Sequence, residues 1–201
     1  MTTKDKIMDV ALHMFSERGY EAVSIRDICG EVGIKECTLY YHFKNKKDIL
    51  DSLVAKFREH IDGLLSHLDE IPQGDPKKNT KKSDVSNSRI MDTYMMDSYL
   101  FDPFCNLMIR LMMIEQFHNE EIRMLYEKTL FTDPYEIYLN VFRKLSSHGA
   151  FPPEQAENIV RRYHAYMTML TFKYLLNGEL TEERKRAYAK EVHSLMSGAF
   201  L

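Results

Sequence analysis

Tyr40, Tyr41, His42, Lys44, Lys46 and Lys47 are packed into a single run of the chain, TLYYHFKNKKDIL. Tyrosine hydroxyls and lysine ammonium groups are donors suited to phosphate oxygens, and their closeness in sequence suits a clamp on a duplex backbone. Read alone, the same lysines would equally suit the solvated start of a helix. No catalytic set competes with the phosphate reading. The chain has no Gly-x-Ser-x-Gly, no Walker loop, no His-Glu-x-x-His and no cysteine beside a plausible base, so it is not expected to be an enzyme. Its eight histidines are scattered singly and read as ordinary helix residues. Cys29, Cys37 and Cys105 make an odd count without metal-ligand spacing, so no metal or cofactor is expected. These thiols read as small packing residues in a reducing cytoplasm, ahead of a redox switch at Cys29 and Cys37.

The elements that position the donors lie just upstream, in Ser24–Phe43. Ser24 is a good helix N-cap, and Asp27 stands where a capping-box acid reaches back to it. Ile25, Ile28 and Val32 form one apolar stripe. Gly33 ends that helix at a position where positive φ is cheap. Ile34, Leu39 and Phe43 then give a second, short apolar face that needs its neighbours for stability. Two brief helices hinged on a glycine make a helix-turn-helix, whose second helix enters the major groove of DNA. Upstream, Ile7, Val10, Ala11, Met14 and Phe15 stripe a first helix over 4–18, stopped by Gly19.

From about Lys4 to Phe57 the chain resembles the tetracycline-repressor (TetR) family of one-component bacterial regulators. The resemblance is carried by FSERGYEAVSI, the glycine turn and TLYYHFKNKKDIL, about the first quarter of the sequence. It departs from the family where a Ser or Thr usually opens the second helix, here Lys35, and where a small residue is usual, here Cys37. Expected base-reading positions are Lys35, Glu36, Thr38 and Tyr40. Expected phosphate contacts are Ser24, Tyr41, His42, Lys44 and Lys46. Glu36 would repel phosphates unless it accepts from a cytosine amino group.

Net charge is -3 over 201 residues, and residues 1–60 hold ten Lys/Arg against ten Asp/Glu, so binding must rest on where the cations lie. A hydrophobic share of 44% with 28% charged is that of a globular protein. No apolar run approaches the roughly 18 residues of a membrane span, and the N-terminus does not read as a signal peptide. A cytoplasmic protein is expected.

The division expected is a DNA-binding head over 1–46 and a helical ligand-binding and dimerisation body over 47–201, all-α throughout. Leu50, Leu53, Val54, Phe57, Ile61, Leu64, Leu65 and Leu68 stripe a long helix over 46–68, which reads as a mechanical connector. Residues 71–88, rich in Pro, Gly, Ser and Lys, read as a solvent loop. Further helices are expected near 89–101, 103–117, 120–131, 134–147, 153–176 and 182–198, with 120–147 open to being one helix kinked at Pro134.

Methionines and aromatics crowd this body. At helical spacing they are usually plain core, yet methionine adapts its shape and tyrosine puts a polar tip on an apolar wall. The family resemblance implies a cavity for a small apolar or amphipathic effector. Met95, Tyr99, Phe104, Met108, Arg110, Met112, Phe117, Tyr138, Tyr166 and Met169 are its candidate lining. Arg110 is open to three readings: an internal pair with Glu115 or another acid, a solvent-facing position, or a contact to an anionic effector. The last two helices carry apolar stripes, Ala156, Ile159, Val160, Tyr163 and Met167 on one and Tyr188, Val192, Leu195 and Met196 on the other. The resemblance implies that they build a homodimer; the alternative is that they close the core of one chain. The function expected is a ligand-responsive regulator, most simply a repressor released from a palindromic operator. An activator or effector-free regulator, and a helical hydrophobe carrier with a vestigial head, are the alternatives.

Overall fold

A computed structural model of the chain describes residues 1–70, 95–147 and 151–198. The expected loop 71–88, the residues at 89–94 and Gly149 lie outside that set. Helices α1 (Thr3–Arg18), α2 (Ile25–Val32), α3 (Glu36–His42), α4 (Lys46–Glu70), α5 (Pro103–Glu115), α6 (Glu120–Glu127), α7 (Asp133–Ser147), α8 (Ala156–Leu170) and α9 (Glu182–Gly198) follow one another, with no strand among the described residues. The chain divides into two compact units, Met1–Leu65 with Leu107–Leu125, and Ser66–Asn106 with Tyr126–Leu201.

The first unit begins with a cap the apolar stripe did not reveal. Thr2 accepts from the Asp5 amide, and the Asp5 carboxylate accepts from the Thr2 amide at 2.8 Å, a complete capping box. The Ser24–Asp27 box on α2 forms as the sequence implied. Gly33 takes φ +76°, and its N–H closes on the Cys29 carbonyl at 3.0 Å, so α2 ends in a left-handed turn. Apolar residues from each element meet beneath: Ile7, Phe15, Ile28, Leu39, Phe43, Ile49 and Phe57 are buried essentially completely. The stretch from α5 and α6 adds Met108, Ile109, Leu111, Met112 and Ile122. Glu115 is buried here too, accepting from the Tyr20 N–H at 2.8 Å. Gly19 is where this carboxylate comes close: a Cβ there would sit 3.2 Å from Ile114 and 3.3 Å from the Glu115 carboxylate, at φ +82°.

The second unit is centred on α7, α8 and α9. Tyr138, Phe142, Val160, Tyr163, Tyr188 and Leu195 belong to one buried cluster, with the Tyr138 and Tyr163 rings edge to face at 4.9 Å. Inside the unit Asn106 Nδ2 donates to the Leu175 carbonyl at 2.8 Å, satisfying a buried amide. Arg184 Nε donates to the Tyr174 carbonyl at 2.6 Å, tying α9 to the helical end before it. The described residues of the stripes expected to face a partner are core of a single chain: Ala156, Ile159, Val160, Tyr163, Met167, Tyr188, Val192 and Leu195 are all buried within it, while the Met196 side chain lies outside the described set. A second copy would have to meet the remaining faces of these helices.

Three π-helical turns interrupt the α-helical run among the described residues: Met96–Leu100, Lys128–Thr132 and Thr171–Leu176. The first is closed by the Phe101 N–H on the Met96 carbonyl, five residues back. The second joins α6 to α7, so the helical assignment runs from Glu120 to Ser147 with a π turn just before Pro134.

Candidate functional site

The surface of α3 is set by one buried anchor. Leu39 is its sole buried residue, and Phe43 is buried immediately after it. Everything else on a seven-residue helix must then face outward or sideways. Cys37, Tyr40 and Tyr41 stand at i, i+3 and i+4, one face, and all three are exposed, Tyr40 by 51% and Tyr41 by 86%. Lys35 and Lys44 flank them, both exposed. Large aromatic side chains held in solvent by a rigid helix form a surface built for contact. Glu36 and Thr38 are half-buried at the flank.

The second helix has no side-chain cap, because Lys35 occupies the N-cap position. Glu36 is held instead by Arg26, whose Nε donates to its carboxylate at 3.1 Å, a pair that links α2 to α3 and offsets the negative charge. His42 packs edge to face against Tyr41 at 5.1 Å. Ser24 is exposed, but its hydroxyl is engaged with Asp27, donating to the carboxylate at 2.6 Å.

The lysines divide by role. Lys44 is exposed, its backbone N–H donating to Asp48. Lys47 is paired with Asp51 at 2.7 Å, and this partner raises its pKa. Lys46 is half-buried. Its ammonium donates to the Tyr20 carbonyl at 2.7 Å and the Val23 carbonyl at 2.9 Å, and lies 4.1 Å from the centre of the Tyr20 ring. Two of its three donors thus fasten the turn between α1 and α2.

A second feature lies wholly within the second unit. A small cavity is lined by Met95, Tyr99, Leu100, Leu130, Pro134, Tyr138, His164, Met167, Thr168, Thr171 and Tyr188. Its volume is ≈ 40 Å³, against roughly 10–15 Å³ needed for one water on the same measure. Of the residues expected to line a pocket, Met95, Tyr99 and Tyr138 meet here. Met108, Arg110, Met112 and Phe117 belong to the first unit, where Met108 and Met112 are core and Phe117 is 81% exposed. Phe104 is half-buried outside the lining, Tyr166 reaches towards Glu191 at 3.5 Å, and Met169 is 46% exposed. His164, Thr168, Thr171 and Tyr188 are the polar lining residues the composition did not single out. Burial raises the Tyr99 phenol and lowers the His164 imidazole.

Residues 7–53 match the family model of bacterial regulatory proteins of the tetR family. Over 68 residues the chain is 44% identical to the negative transcriptional regulator IcaR of the biofilm operon icaADBC from Staphylococcus epidermidis, covering 33% of this chain and 37% of that protein. Against IcaR of Staphylococcus aureus it is 40% identical over 62 residues, 31% of this chain and 33% of the relative. The chain thus spans little more than a third of the sequence relatives it matches. Among solved structures, it superposes on the ketosteroid regulator KstR2 of Mycobacterium tuberculosis with a TM-score of 0.65 at 18% identity, covering 100% of this chain and 96% of that one. The choline complex of a Saccharomonospora viridis regulator gives 0.62 at 22% identity, over 94% and 95% of the two chains. At such identities these structures establish the fold.

Proposed function

We propose that this chain, a member of the TetR family of bacterial regulatory proteins, is a DNA-binding transcriptional repressor that acts as a homodimer and releases its operator when a small effector binds. The observation that carries the reading is the exposed Cys37–Tyr40–Tyr41 face of α3, flanked by Lys35 and Lys44 and held by the buried Leu39. A short helix presenting aromatic and cationic donors on one side fits a major groove and its bordering phosphates. In this reading Lys35, Glu36, Thr38 and Tyr40 face base edges, with Ser24, Tyr41, His42 and Lys44 towards the backbone. Lys46 contributes by shaping the turn, with one ammonium donor left for a phosphate.

The functional division falls at residues 46 and 47, a DNA-reading head followed by a ligand-binding and dimerising body. One head covers too few base pairs for tight specificity, whereas a two-fold pair reads a palindrome with recognition helices about one DNA turn, roughly 34 Å, apart. Helices α4, α5 and α6 each run from residues of one unit into residues of the other. An effector that prefers one arrangement of the body would thereby change the separation of the two heads and release DNA. An effector-free regulator is the second reading, favoured by how little room the cavity offers.

The test is a gel shift with the palindrome from the promoter beside the protein's own gene. Binding with a steep salt dependence is expected. Lys44→Ala should flatten the slope of log K against log salt by about 0.9, the contribution of one phosphate, without moving the melting curve. An unchanged slope removes Lys44 from the contact surface, and failure to shift any promoter palindrome favours the carrier alternative.

A further inference from the structure

The cavity of the second unit is unusual in where its wall comes from. All three π-helical turns supply it: Tyr99 and Leu100 from the first, Leu130 from the second, Thr171 from the third. A π turn inserts one residue into a helix at a cost in hydrogen-bond geometry, and such turns gather at functional sites. Three converging on one small space is not what close packing alone requires.

The hydroxyls of Tyr99, Thr171 and Tyr188 are engaged. The Tyr99 hydroxyl donates to the Thr129 carbonyl at 3.2 Å. Thr171 Oγ1 donates to the Met167 carbonyl at 2.9 Å and lies 3.4 Å from the Tyr188 hydroxyl. His164 stands apart. Its Nε2 is buried and has no hydrogen-bond partner. A neutral imidazole carries its proton on one nitrogen and leaves the other as a bare acceptor. Burial disfavours the protonated ring and keeps it neutral. No Lys, Arg, Asp or Glu contributes to the wall.

We propose that this cavity is the effector site and that it takes an uncharged, largely apolar molecule donating one hydrogen bond to His164 Nε2. The inference rests on the ligand-responsive reading and gives it a chemical class. An anion would enter a wall without a compensating cation, which disfavours it strongly. A hydroxyl on a hydrocarbon frame satisfies the orphan nitrogen and covers Met95, Leu100, Leu130, Pro134 and Met167. At ≈ 40 Å³ the space must widen to admit it. The π turns supply part of the wall that must move, which couples occupancy to the arrangement of the helical body.

The full chain is titrated with three probes, 1-nonanol, its isomer methyl octyl ether and nonanoate, following binding by thermal shift and DNA release by gel shift. Nonanol should bind about tenfold more tightly than the ether, the worth of one buried hydrogen bond, and nonanoate more weakly still. In His164→Phe the preference for nonanol over the ether should disappear; His164→Gln, which retains an acceptor, should keep part of it. Equal binding of nonanol and ether by the wild type, nonanoate binding as well as nonanol, or no binding of any probe overturns the proposal, and none of these needs a variant to fold. The regulator reading fails separately, when the unliganded protein shifts no palindrome.

Discussion

Lys46→Ala should destabilise the first unit by about 2–4 kcal/mol, the loss of two charge-assisted hydrogen bonds that leaves the Tyr20 and Val23 carbonyls to find other partners. In this size range that lowers the thermal midpoint by roughly 5–10 °C. The ammonium binds both carbonyls below 3.0 Å and covers the Tyr20 ring, so one side chain fixes the chain reversal between α1 and α2. Lys46→Met, which keeps the aliphatic stem, should recover little, because packing of the stem is not what is lost. Lys44→Ala, two residues away and exposed, should change stability by no more than about 0.5 kcal/mol. Thermal melts of the three variants decide the point. Equal midpoints for Lys44→Ala and Lys46→Ala would mean that Lys46 is an ordinary surface lysine.

The double substitution Tyr40→Ala with Tyr41→Ala should have the opposite signature. Both rings are exposed, and alanine is the better helix former, so the melting curve should hold or rise slightly. DNA affinity should fall by roughly a hundredfold, about 1–1.5 kcal/mol for each lost contact. Circular dichroism and a gel shift measured on the same preparation separate binding from folding. Wild-type affinity in the double variant would remove α3 from the DNA surface.

Local chemistry was legible in the sequence where a few neighbouring residues determine it. The Ser24–Asp27 box and the positive φ of Gly33 are properties of three or four consecutive residues, and they form as read. Lys46 reads as a phosphate contact from its place in the cationic run after α3, whereas its two carbonyl partners lie 26 and 23 residues upstream, a distance at which spacing carries no information. The body illustrates a second limit. Helical period tells which face of α5 is apolar, but not which compact unit that face serves. Met108 and Met112, read either as core or as cavity lining, are buried in the first unit. The π turns have no compositional mark, since one inserted residue leaves helix propensity unchanged. His164 reads as any other scattered histidine, because the burial of its Nε2 without a partner depends on residues far away in sequence. Cys37, read from sequence as a small packing residue, is exposed, as its place three and four positions before Tyr40 and Tyr41 implies.

That cysteine supplies a direct test of whether α3 enters DNA. Cys37 is exposed on the face it shares with Tyr40 and Tyr41, whereas Cys29 and Cys105 are buried, and burial pushes both of those thiols up in pKa and away from the reactive thiolate. Alkylation of the native protein should therefore modify Cys37 first, read by peptide mass. With saturating palindromic DNA the rate at Cys37 should fall by more than about tenfold, and protein alkylated there beforehand with a bulky maleimide should no longer shift the DNA. Undiminished alkylation of Cys37 in a protein fully bound to its operator would contradict the placement of α3 in the groove.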